Sequence, residues 1–154
     1  MELNEPTFFN AAIVNVIWGK NVKVVLPVNL YGCTICDNCF VGPFVEIQKG
    51  VTIGKNTSIQ SHSFICELVT IGADCFIGHS VVFINDTFST GKPSGGNKNN
   101  WKQTKVGNNV YIGSNATILP VSICDNVVIG AGAVITKDII ISGKYAGNPA
   151  KLIK

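Results

Sequence analysis

His62 and His79 are the only histidines in this chain of 154 residues. A histidine ordinarily titrates at about 6.5, so at neutral pH it can accept a proton and serve as a general base. Shortly after His79 comes an adjacent amide and carboxylate, Asn85-Asp86, inside the stretch IGHSVVFINDTFSTG, Ile77 to Gly91. Six cysteines (Cys33, Cys36, Cys39, Cys66, Cys75 and Cys124) offer thiols, and the first three have C-x₂-C-x₂-C spacing. Such spacing holds zinc only if the thiolates converge. Twelve lysines stand against nine acidic residues, and there is no arginine. A phosphate group must therefore be held by lysine, by backbone N–H groups or by helix ends, without a bidentate guanidinium.

What positions these groups is a repeat. Written in sixes from Ile35, the chain reads ICDNCF, VGPFVE, IQKGVT, IGKNTS, IQSHSF, ICELVT, IGADCF, IGHSVV, FINDTF. An aliphatic residue or Phe opens each unit, and the fifth residue is small or β-branched throughout. After a break the metre resumes as VGNNVY, IGSNAT, ILPVS, ICDNVV, IGAGAV, ITKDII, with one unit a residue short at Pro120. Upstream, Val16, Val22 and Val28 keep the spacing more loosely. A six-residue period fits neither the 3.6 of a helix nor the alternation of a sandwich strand. It fits a coil of three short strands and three turns, about eighteen residues per rung. Rungs stack at the strand spacing of roughly 4.8 Å, openers inward. The expected fold is all-β, a parallel β-helix of about six coils over residues 16–140. A loop is inserted at 86–105, and a short tail follows at 141–154, all in one domain.

Counting rungs places the chemistry. Units opening at Ile53 and Ile71 share a first face, Ile59 and Ile77 a second, Ile65 and Phe83 a third; the chain re-enters at Val106 on the first. His62, His79 and Asn115 then fall near one line along one edge, pointing outward. Cys39 and Cys75 occupy the small inward phase, whereas Cys33 and Cys36 fall in other phases. The three cysteines should not converge, so reduced thiols are expected rather than a metal site.

The loop, DTFSTGKPSGGNKNNWKQTK, is rich in Gly, Ser and Asn and holds Lys92, Lys98, Lys102 and Lys105 around a single Trp101. Long loops in compact domains are usually functional, and this one reads as a flap that packs on a neighbouring subunit over a phosphorylated ligand. The early apolar run Ala11 to Trp18 is too short to span a bilayer, and MELNEP lacks a basic region, so neither membrane span nor secretory signal is expected. The mild charge does not indicate nucleic acid. A cytoplasmic protein is the expectation.

The metre is that of the hexapeptide repeat. On it, the chain resembles the left-handed β-helix acyltransferase superfamily over about residues 16–140. The left hand comes from that resemblance and runs against the usual right-handed crossover. The resemblance also implies a homotrimer with sites between subunits. AGNPAK, Ala146 to Lys151, resembles the closing motif of coenzyme A–dependent members. It implies acetyl-CoA as co-substrate, its pantetheine arm lying against Gly113, Ser114, Ala131 and Gly132. Lys137, Pro149 and Lys151 would then lie near its phosphates. More finely, CELVTIGADCFIGHSVVFINDTFS, the Trp101 segment and GSNATILP are similar to N-acetyltransferases acting on dTDP-3-amino-3,6-dideoxyhexoses, which serve surface polysaccharide synthesis. That similarity implies His79 and Asn115 at the reaction, and Phe83, Asn85, Asp86 and His62 about the nucleotide-linked sugar. The short unit after Pro120 departs from that group's pattern.

The implied chemistry is attack of an amine on a thioester. A sugar amine titrates near an α-amino group, roughly 7.7–8.0, so a protein base helps without being required. An O-acetyltransferase of the same fold, acting on a sugar or serine hydroxyl, is the alternative. A γ-class carbonic anhydrase needs three histidines per zinc, more than the chain holds. A non-enzymatic β-helix scaffold is opposed by the flap and the NPAK ending.

Overall fold

The computed structural model describes residues 12–153. The MELNEP stretch, Ala11 and Lys154 lie outside the described residues. The chain winds as a left-handed parallel β-helix, and its three faces are those the metre requires. The first face is a six-stranded sheet, from Ile17–Trp18 through Thr52–Ile53, Val69–Ile71 and Thr104–Val106 to Ser122–Ile123. The second runs from Lys23–Val24 through Ser58–Ile59, Phe76–Ile77 and Tyr111–Ile112 to Val127–Ile129. The third has seven strands, including Phe64–Ile65, Val82–Phe83, Thr117–Ile118 and Val134–Ile135. The coil thus makes about seven turns, one more than the metre suggested. The extra turn lies at the N-terminal end, opened by Ile13, Trp18 and Val24 in register with Leu30, Ile35 and Val41. Val16, Val22 and Val28 belong to this turn in the small inward phase, two residues before the openers. The tail is an antiparallel hairpin, Gly143–Gly147 with Ala150–Ile153, which extends the second face.

Each position in the unit has a physical cause. Openers such as Ile53, Ile59, Ile65, Ile71 and Ile77 are fully buried in one continuous core. Each such side chain contributes about 1.5–3 kcal/mol by leaving water. The glycine after the opener is set by the rung above. A Cβ on Gly72 would lie 2.4 Å from the Gly107 carbonyl oxygen, and one on Gly113 would lie 2.5 Å from the Ala131 nitrogen. The fifth residue turns inward where the wall bends, and when polar it donates to a carbonyl of the next rung. The Ser63 hydroxyl donates to Gly78 O at 2.8 Å, and Thr57 to Gly72 O at 3.0 Å.

Cys39 and Cys75 do the same with S–H, to Gly54 O and Gly107 O at 3.1 and 3.2 Å. Cys33 shares this inward phase and is buried, contrary to its expected placement. The unit from Leu30 to Thr34 is one residue short, which shifts the count. Cys36 points the other way and is only half-buried, so the three thiols do not converge. Among the described residues no group of three or more His, Cys, Asp or Glu is gathered as for a metal ion. Burial pushes the thiols of Cys33, Cys39 and Cys75 up, and that of Cys66 up to about 12.

The fourth residue of nearly every six-residue unit takes a left-handed backbone, as at Asn56 (φ 58), His62 (φ 64), Ser80 (φ 55) and Asn115 (φ 61). Asn, Asp and Gly tolerate that conformation best. The short unit Ile118 to Ser122 has no such residue, and its corner is made by Pro120. The flanking rungs are therefore offset by seventeen residues, Tyr111 pairing with Val128.

Candidate active site

The edge between the second and third faces carries the predicted row. Backbone hydrogen bonds fix its register. His62 N–H donates to Pro43 O, Ser80 N–H to Ser61 O, Asn115 N–H to His79 O and Gly132 N–H to Ser114 O. Ser61, His79, Ser114 and Ala131 are therefore the third residues of successive rungs, while Phe44, His62, Ser80, Asn115 and Gly132 are the fourth. His62, His79 and Asn115 do share one edge, and all three are exposed.

The side-chain partner of His79 is Ser114. Its Oγ lies 3.4 Å from His79 Nδ1 and accepts from the His79 backbone N–H at 3.2 Å. A hydroxyl oxygen has two lone pairs and can accept both N–H groups. That arrangement fits a proton on Nδ1 and leaves the Nε2 lone pair facing outward, the form a general base needs. Asn115 touches His79 only through the backbone, at 2.8 Å. Rung phase would have found Ser114, because it stands directly above His79 as the third residue of the next second-face unit.

Along the same edge toward the C-terminus, Gly113 and Ser114 are half-buried and Ala131 and Gly132 exposed. Nothing lies within 4 Å of where a Gly132 Cβ would stand. This is a strip of low relief that a thin, flexible chain can lie against. Gly113 differs, since its missing side chain lets the Ala131 backbone close over it. Lys137, Pro149 and Lys151 meet elsewhere, around a cleft of about 270 Å³ at the C-terminal end, with Ile139 and Tyr145 in its floor. Both lysines are exposed and suit anionic groups at the end of such a chain.

The loop leaves from the other edge of the third face. Asn85 closes its neck: its O accepts from Lys102 N–H at 2.9 Å, and its amide donates to Glu67 O at 3.2 Å. Asp86 organises the loop from within, accepting from the N–H groups of Phe88 and Ser94 at 2.9 and 2.8 Å. Those backbone donors hold its carboxyl below the usual value. Lys98 pairs with Glu67 at 2.8 Å and lies 5.4 Å from the centre of the Trp101 ring, so it is engaged within the chain. The irregular stretch ends before Thr104, so Lys105 belongs to a first-face strand and not to the loop, as first expected. Phe83 is an opener, wholly inside the prism. The phrase Phe83-Ile84-Asn85 reaches the surface only at its last two residues. Beneath the loop, the predicted Phe83, Asn85 and Asp86 all border a pocket of about 450 Å³, together with Gln48, Phe64, Cys66, Phe88 and Trp101. Within one chain, the five steps from Ser80 to Asn85 separate this pocket from the His79 edge by roughly 16 Å at the strand rise.

Comparison with known proteins agrees with this architecture. Residues 32–67 match the family model described as bacterial transferase hexapeptide (six repeats). Residues 103–137 match the model of the hexapeptide repeat of succinyl-transferase. A solved galactoside acetyltransferase in complex with coenzyme A is 33% identical, with TM-score 0.66, over 78% of this chain and 63% of that one. Both halves of the chain therefore carry the hexapeptide repeat of such transferases, on the fold that this acetyltransferase shares. A second solved structure, the polySia specific acetyltransferase NeuO, is 26% identical with TM-score 0.61, over 92% of this chain and 82% of that one. By sequence, the bifunctional protein GlmU of Streptococcus uberis is 33% identical over 92% of this chain and 32% of its own length. The chain spans about a third or less of the curated relatives it matches first. No helix among the described residues is long and apolar enough to cross a membrane.

Proposed function

We propose that this protein is an acetyl-CoA-dependent acetyltransferase. Its acceptor is the amino group of a dTDP-linked 3-amino-3,6-dideoxyhexose, made in the cytoplasm for surface polysaccharide. The observation that carries the reading is the His79–Ser114 pair, which directs Nε2 outward beside a strip of small residues. The thioester lies along Gly113, Ser114, Ala131 and Gly132, with the coenzyme phosphates toward Lys137, Pro149 and Lys151. The acceptor lies on the N-terminal side of His79, toward His62. His79 positions the amine and takes its proton at Nε2, and Asn115 holds the ligand. Backbone N–H groups at the corner are suited to the developing oxyanion.

The loop and His79 sit on different edges of one prism. A homotrimer resolves this by setting the loop of one subunit against the His79 edge of the next. Asn85 and Asp86 then hold the loop to the sugar, over the surface that covers Phe83. The likeness to a galactoside acetyltransferase supports a second reading, transfer to a sugar hydroxyl. Thiol release from acetyl-CoA, measured across amino and hydroxy sugar nucleotides and free glycosides, decides between them. Turnover confined to 3-amino sugars supports the first reading. Turnover with hydroxyl acceptors alone overturns it.

A further inference from the structure

Most six-residue corners of this prism place Asn, Asp or Gly at the left-handed fourth position. On the edge that carries His79 the column instead starts Pro27, Phe44, His62. Phe44 holds φ at 60° and leaves 57% of its surface in water. Its ring is stacked on His62, with centroids 4.8 Å apart and planes 28° from parallel. A bulky residue with positive φ is a steric outlier, and an exposed ring forgoes burial. The prism requires neither, since Asn56 makes the same turn. Costs of this kind gather at functional sites.

The remaining face of the stack borders a shallow cleft of about 250 Å³ lined by Pro27, Val28, Asn29 and Glu46. Asn29 Nδ2 donates to Glu46 Oε2 at 3.0 Å, so the rim presents both an amide and a carboxylate. Phe44 is two rungs from His79, about 10 Å at the strand spacing. Ser61 lies in the rung between and Ser80 beside His79 in its own rung, offering neutral hydroxyl donors in a chain without arginine.

We propose that the Phe44–His62 stack, with the cleft beside it, holds the base of a nucleotide-linked acceptor. The pyrophosphate then runs past Ser61 and Ser80 and the sugar meets His79. This rests on the nucleotide-sugar reading above. A flat base stacks on an aromatic ring whatever its identity, and the amide–carboxylate rim can hydrogen-bond its edge.

The test is binding of dTDP, UDP and GDP to the full chain, by calorimetry and by saturation transfer to the base protons, in the wild type and in Phe44→Asn. Asparagine is the residue the fold itself uses at such corners, so this variant should fold. The expected result is an affinity loss of about 5- to 100-fold, with a matching rise in KM for the nucleotide sugar. The KM for acetyl-CoA stays as it was. Equal dTDP affinity in wild type and variant overturns the proposal. So does a change of oligomeric state in sedimentation, which would make the ring a contact between copies. If free sugars are acetylated and no nucleotide binds the wild type, the base site is wrong while the acetyltransferase reading stands. If nucleotides bind through Phe44 and no acceptor is acetylated, the base site stands and that reading falls.

Discussion

The orientation of His79 depends on a single hydroxyl. Ser114 Oγ accepts from the His79 backbone N–H and lies 3.4 Å from Nδ1, so it engages that nitrogen and leaves Nε2 outward. The tautomer with its proton on Nδ1 is the one a base at Nε2 needs. His79→Ala should lower kcat by about 10²–10⁴-fold if the ring takes the proton in the transition state. Ser114→Ala should cost less, because the ring remains but loses its hydrogen-bond partner at Nδ1. The amine of the proposed acceptor is partly neutral already, so raising the pH should rescue His79→Ala in steady-state assays. A loss below tenfold in His79→Ala, with unchanged KM, would reduce the histidine to a positioning group. The histidine row was legible in the sequence because phase alone sets it. Ser114 was read for its size and not for its hydroxyl. Phe44 was passed over, because a Phe in a hydrophobic metre looks like core until the backbone shows which way it turns.

At the level of elements, the metre carried the three faces, the inward openers and the re-entry at Val106, since each is fixed by steric demand that repeats. Its failures lie at the N-terminal five-residue units, such as Leu30 to Thr34. There the count slips by one, which hid the inward phase of Cys33 and set Val16, Val22 and Val28 off the openers by two residues. The interior of the loop was not legible, because its order comes from one carboxylate gathering two backbone N–H groups, a matter of geometry without period. This yields a pH dependence. The Asp86 carboxyl is held below its usual value, so its contribution is complete above about 3.9, the ordinary pKa of an aspartate, and is lost as pH falls through the lowered one. In a Trp18→Phe background, Trp101 fluorescence should therefore shift below about pH 4 while the circular dichroism of the prism persists. Asp86→Ala should show the shifted signal already at neutral pH. A Trp101 signal unchanged by acid and by Asp86→Ala would mean that the loop is held by other contacts.

For the whole molecule, the central fact is that the loop pocket and the His79 edge stand apart on one prism. If the site is shared between subunits, two separately inactive proteins should complement each other. One would carry His79→Ala with an intact loop, the other His79 with residues 88–100 shortened to a Gly-Ser turn. Mixed, unfolded and refolded together, they should regain about a quarter of wild-type activity, the fraction of random pairings in which a good loop meets a good histidine. No recovery, from variants that each fold as trimers, would confine the site to one chain. The stacked rungs have a further consequence. Because each rung touches only its neighbours, distances along the edge come in fixed increments of about 4.8 Å, like marks on a ruler. The gap between Phe44 and His79 is then a count of rungs. A coil of eighteen residues inserted between His62 and His79 would lengthen that gap by one mark and leave both ends unchanged. If the acceptor spans Phe44 to His79 as proposed, its length is a whole-number property, altered by adding or removing turns and not by reshaping a pocket.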